Sequence, residues 1–88
     1  MPDLKAQFEQ AQKEVRMLTR KPSNEDLLAL YAHFKQGTEG DVRGARPGML
    51  KVVDRAKFDA WSSLKGTKTD AAMKGYIAKV AELVKTLG

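Results

Sequence analysis

The chain has 88 residues, sixteen of them Lys or Arg against eleven Asp or Glu, for a formal net charge of +5. One domain spanning 1–88 is the expectation at this length; the absence of cysteine excludes disulfides and thiolate metal sites, and no run approaches the roughly 18 apolar residues of a membrane span. The N-terminus lacks the apolar stretch of a secretory signal, so a soluble cytoplasmic protein with an anionic partner is expected.

Leu4, Phe8, Ala11, Val15 and Leu18 recur at alternating steps of four and three, which predicts helix 1 over about Leu4 to Leu18. Pro22 stops it, and Arg20 and Lys21 suit the negative end of its dipole. "SNED" follows, with Ser23 as a cap and Asp26 three residues on, an acidic form of the capping box. Helix 2 then carries Leu27, Leu30 and Phe34 on one stripe and Leu28, Tyr31 and Lys35 on the next, stopping near Gly37 or Gly40. "GTEGDVRGARPGML", Gly37 to Leu50, fits neither helix nor strand. Compact domains connect elements with about 4 to 6 residues, and a longer connection is usually functional or disordered; this one is expected to frame a ligand site.

"DRAKFDAWSSLKG" predicts a short helix 3, capped by Asp54, with Phe58, Trp61 and Leu64 three apart and Gly66 as its stop. Helix 4 opens at a cap-like Thr67 to Asp70 spacing and sets Met73, Tyr76, Ile77, Val80, Leu83, Val84 and Leu87 along one face. No segment alternates with the period of two that a half-buried strand requires. An all-α four-helix domain is the consistent outcome.

Catalysis finds little support. His33 is a lone helical histidine with no nucleophile motif beside it, the carboxylates are scattered, and "GDVRG" lacks the Lys-Ser or Lys-Thr ending of a phosphate loop. Binding finds more. Tyr31 and Lys35 stand four apart, so a phenol and an ammonium can address one phosphate. Lys57 stands four before Trp61, and Arg16 is one step from core Val15. Each of these side chains, taken alone, also fits a solvated surface position, and Tyr76 fits the core.

The segments taken together are more specific. "FEQAQKEVRML", "KPSNEDLLALYAHFKQGTEGD", "RPGMLK", "RAKFDAWSSLKGT" and "AMKGYIAKV", in this order and spacing, closely resemble the acyl-CoA-binding protein family from about Phe8 to Leu83. The resemblance implies an up-down-down-up four-helix bundle that holds medium- to long-chain acyl-CoA esters without chemistry. Carried over by position, Tyr31, Lys35 and Lys57 would bind the ribose 3′-phosphate. Phe34 and the stem of Arg16 would border the adenine, and Tyr76 would support the head-group pocket. The acyl chain would lie between helices 2 and 3 along Leu27, Leu28 and Ala56. The long connection would cross the bundle, anchored by Arg46, Pro47, Gly48, Met49 and Leu50, the last two through apolar contacts. Such a protein is a monomer that needs no cofactor, since acyl-CoA is its cargo, and hands the ester to acyl-CoA-using enzymes.

Phe34 stands where the family commonly has Tyr, which keeps a ring and loses a hydroxyl. Arg16 stands where Lys is usual, Gln12 replaces a small residue near the adenine, and Val53 with Asp54 replaces a Lys-Gly pair. These departures bear on the strength of head-group binding and leave its location in place. The alternative from another class is a small basic helical nucleic-acid-binding or protein-interaction module, supported by a pI near 9.6. The spread of the lysines over several faces and the absence of a recognition-helix signature weigh against nucleic acid.

Overall fold

A computed structural model describes residues 3–88. Four helices carry it, with no strand among the described residues: α1 Leu4–Val15, α2 Asn24–Glu39, α3 Val52–Ser62 and α4 Thr69–Leu87. Asp3 caps α1 by accepting from the Ala6 amide at 2.8 Å, and Ser23 caps α2 by accepting from that of Asp26 at 3.1 Å, as its sequence predicts. Gly40 ends α2 at a φ of 81°, a conformation that favours glycine.

Helix α4 packs against both α1 and α2, and α3 packs on α2. The core between them joins Phe8 and Ala11 of α1, Leu30 of α2, and Tyr76, Val80 and Leu83 of α4. At its centre the Phe8 ring meets Tyr76 edge-on at 5.1 Å and stacks with Phe34 at 5.9 Å. Such ring pairs add about 0.5–1.5 kcal/mol each beyond the area they bury. The apolar stripes of α1, α2 and α4 thus become one core, and α3 buries no residue fully.

The boundaries differ from expectation at four places. Helix α1 ends at Val15 and not Leu18, because Arg16 and Met17 donate back three residues, to Lys13 and Glu14, and tighten the last turn; Leu18 still packs on the core. Arg20 accordingly complements a different helix end, donating to the Thr86 carbonyl of α4 beside the 2.7 Å bond from Thr19 to the Leu87 carbonyl. Helix α3 begins at Val52, so Asp54 lies inside its first turn and is not its cap, and the helix stops at Ser62, where a turn takes over up to Gly66. Helix α4 follows Lys68 with no side-chain cap, and Thr67 instead offers its carbonyl to Gln36.

The connection 40–51 is held by polar groups. Arg46 donates from Nε and Nη2 to both carboxylate oxygens of Asp59, at 2.8 and 2.7 Å. Met49 and Leu50 do not supply the apolar contacts expected of them, being 81 % and 98 % exposed; a turn in which the Lys51 amide donates to the Gly48 carbonyl carries them outward.

Candidate functional site

The site rests on one fully buried polar side chain, Gln36. Its Nε2 donates to the Asp41 carboxylate at 2.9 Å and to the Thr67 carbonyl at 2.8 Å, and its Oε1 accepts from the Trp61 indole at 3.2 Å. The same indole N–H lies 2.8 Å from the Gly40 carbonyl, and Asp41 also accepts from the Gly66 amide at 2.8 Å. Helix α2, the start of the long connection, α3 and the α3–α4 turn are therefore pinned at one point. The Gly66 N–H, and then Gln36, hold the Asp41 carboxyl below the usual carboxylate range.

With Trp61 fixed, a cleft of about 440 Å³ opens between α2, α3 and the connection. Tyr31, Phe58 and Trp61 supply its rings, Ala45 and Pro47 its outer wall, and Lys51, Lys57 and Asp54 its charge. The Lys57 ammonium lies 5.4 Å from the centre of the Tyr31 ring. That of Lys35 lies 5.1 Å from the centre of the Trp61 ring and pairs with Glu39 one turn along α2. Two cations are thus seated on ring faces, and together with Lys51 they outnumber Asp54 and Glu39 around the cleft. An anion with several acceptor oxygens fits such a set, since ammonium and phenol both donate.

A second cleft, of about 350 Å³, shares Tyr31 with the first. Phe34, Tyr76, Leu27, Leu30, Val15 and Pro22 line it, so it is mainly apolar and accepts a flat or aliphatic group. Burial pushes the Tyr76 phenol above its ordinary pKa, and the nearby Arg16 charge draws it part of the way back. Arg16 itself is exposed, directly after the end of α1.

Tyr31 and Lys57 thus meet in one cleft, with Lys35 beside its Trp61 wall, while Phe34, Tyr76 and Leu27 meet in the other. Leu28 on α2 and Ala56 on α3 are half-buried and line neither. Gln12 lies with Lys5, Glu9 and Thr38 in a third recess that shares Phe34 with the second cleft. Sequence pattern does not single out Gln36, Lys51 or Pro22. Lys51 closes the "RPGMLK" segment, which is the one signal that it belongs to the site.

Fold and site define a class: an all-α protein with a cationic, ring-lined cleft beside an apolar one, framed by a long ordered connection. Residues 5–80 match the family described as Acyl CoA binding protein, and the chain belongs to that family. An acyl-CoA-binding protein of Brassica napus is 50 % identical over 82 residues, covering 93 % of this chain and 89 % of that relative. An acyl-CoA-binding protein homolog of Manduca sexta is 50 % identical over 86 residues, covering 97 % and 96 %. The crystal structure of Oryza sativa Acyl-CoA-Binding Protein 2 matches with a TM-score of 0.90 at 39 % identity, over 96 % of this chain and 93 % of that one. The fold is the all-α fold of this family, as the sequence resemblance implies.

Proposed function

We propose that this protein binds medium- to long-chain acyl-CoA esters non-covalently and carries or buffers them in the cytoplasm. In a chain of this family, the observation that carries the reading is the seat of Lys57 over Tyr31, 5.4 Å from the ring centre, in the cleft between α2, α3 and the connection 40–51. Tyr31, Lys35 and Lys57 hold the ribose 3′-phosphate, a group carrying roughly −1.5 to −2 at pH 7. Phe34 and the Arg16 stem border the adenine and Tyr76 backs them from α4, a role supported by the second cleft, which Phe34 and Tyr76 both line. The acyl chain runs between α2 and α3 along Leu27, Leu28 and Ala56, each methylene adding up to about 0.8 kcal/mol as it leaves water. The ester is cargo, so the protein works without a cofactor, as a monomer, and passes it unchanged to acyl-CoA-using enzymes.

Titration calorimetry with octanoyl-, dodecanoyl- and palmitoyl-CoA tests the reading. Affinity should rise with chain length to the extent of the groove, and free CoA should bind more weakly than any of the three. Equal affinity for all four ligands would remove the tail-binding half. Sub-micromolar binding to labelled duplex or single-stranded DNA with a steep salt dependence would put the nucleic-acid alternative in its place.

A further inference from the structure

The large apolar side chains that the fold leaves in water are concentrated in one place. Met49, Leu50, Val52 and Val53 are 81 %, 98 %, 70 % and 66 % exposed, whereas the other exposed large apolar side chains among the described residues, Met17 and the less exposed Leu27 and Val84, lie singly on other elements. Contiguous apolar surface of this kind marks an interaction site, whereas scattered residues do not. The stretch is also basic: residues 42–58 contain Arg43, Arg46, Lys51, Arg55 and Lys57 against the single acid Asp54. Of these, Arg46 is neutralised by Asp59.

We propose that the 49–53 corner is a docking surface for an anionic phospholipid bilayer. Met49, Leu50, Val52 and Val53 enter the headgroup layer, while Lys51 and Arg55 face the lipid phosphates and carboxylates. Charge complementarity selects this occupant. Two copies joined through the corner would bring like charges together, and a neutral apolar partner would leave the cations unanswered. The four side chains line neither of the two clefts described above, so a ligand held there does not cover them. This is adhesion at the surface and not insertion of a span, since no helix among the described residues is long and apolar enough to cross a membrane. If the cleft holds acyl-CoA, as proposed above, docking turns its rim at Lys51 and Asp54 toward the bilayer, where acyl-CoA amphiphiles partition; the docking itself does not rest on that reading.

The test is co-flotation of the ligand-free protein with vesicles of phosphatidylcholine alone and of phosphatidylcholine mixed with phosphatidylserine. Binding should favour the mixed vesicles and weaken with salt. Leu50→Asp should lower it about tenfold or more, since an exposed leucine that enters lipid is replaced by a charge, and Arg55→Ala about fivefold. Met17→Asp, at a position 78 % exposed but off the corner, should float as the parent does. The Leu50→Asp protein should keep the parent's circular dichroism and its affinity for palmitoyl-CoA. Absence of binding to mixed vesicles, or equal loss in Met17→Asp, overturns the proposal. Loss of palmitoyl-CoA affinity in Leu50→Asp would reassign the corner to the ligand groove, and a dimer in sedimentation that Leu50→Asp abolishes would reassign it to self-association.

Discussion

The His33 imidazole lies against the bare backbone of Gly75, its Nε2 2.7 Å from where a β-carbon on Gly75 would stand. Its other nitrogen, Nδ1, is 2.8 Å from the Ala29 carbonyl, so Nδ1 carries the proton and the ring is held in place. The lone histidine is thus a packing residue that sets how closely α2 and α4 approach.

Gly75→Ala should therefore destabilise the protein although alanine favours helix by about 0.8–1 kcal/mol. Overpacking of this kind costs about 1–3 kcal/mol, and a net loss of up to about 2 kcal/mol is expected in urea unfolding. Adding His33→Ala opens the space, so the double variant should recover most of the loss attributable to Gly75→Ala. Additive effects would mean that the two residues do not collide.

Gln36→Leu should be the most damaging single change near the site. It withdraws a donor from Asp41 and from the Thr67 carbonyl, and one of two acceptors from the Trp61 indole. Leaving a buried group unpaired costs about 1–3 kcal/mol; exposed Asp41 and the indole keep other partners, so the Thr67 carbonyl is the group orphaned and about 1–3 kcal/mol is expected. A loss below about 0.5 kcal/mol would show the junction to be held by packing alone.

These two positions show what the sequence conceals. The apolar stripes of α1, α2 and α4 repeat at helical spacing, so the core members Phe8, Leu30, Tyr76 and Val80 are legible from periodicity. Tyr31 and Lys35 are legible as a pair because they share one helix face. Lys57 joins Tyr31 only through the packing of α3 on α2, which no local pattern encodes, and the role proposed for it comes from the family resemblance alone. Gln36 is a polar residue four after buried Ala32, and nothing in its type announces burial. Helix ends are least legible where a competing bond decides them: the back-bonding at Arg16 and Met17 shortens α1, and Gln36 takes the Thr67 carbonyl.

Acid should unfold the protein through three carboxyls. Lys79, through its hydrogen bond, lowers the pKa of Asp26, the Gly66 amide lowers that of Asp41, and Arg46 lowers that of Asp59. Each contributes stability that is complete above its unfolded value of about 3.9 and is lost as pH falls through the lower folded value. The partners Lys79 and Arg46 are shifted upward, so their share fades only in strong alkali. Urea midpoints should be insensitive to these groups from about pH 5 to 9 and drop below that range. Asp41→Asn, which keeps an acceptor for Gly66, should flatten the acid limb; an unchanged slope would remove Asp41 from this account.

Glu39 competes for the cation that the proposed phosphate site uses, since Lys35 pairs with it across one helical turn. Glu39→Gln should tighten palmitoyl-CoA binding by about two- to fivefold, the scale of a surface ion pair of up to about 1 kcal/mol. Weaker binding would indicate that Glu39 positions Lys35 and does not divert it.

Lys57 gives the sharpest test of the phosphate assignment, because α3 brings it to the Tyr31 ring from outside α2. Lys57→Ala should cost about 1.5–3 kcal/mol in binding acyl-CoA, the usual scale for losing a hydrogen bond to a charged group. Against acyl-dephospho-CoA, which lacks the 3′-phosphate, the same substitution should cost much less. The variant also loses the cation–π contact with Tyr31, worth about 0.5–1 kcal/mol at an exposed site. That term acts on the protein with either ligand, so a cycle over protein and ligand changes cancels it, provided each variant keeps its helical circular dichroism. Lys35→Ala should behave in the same way if both ammoniums reach the phosphate. A coupling near zero for both lysines would place the phosphate elsewhere, and Lys51, the other lysine that lines the cleft, would become the residue to substitute next.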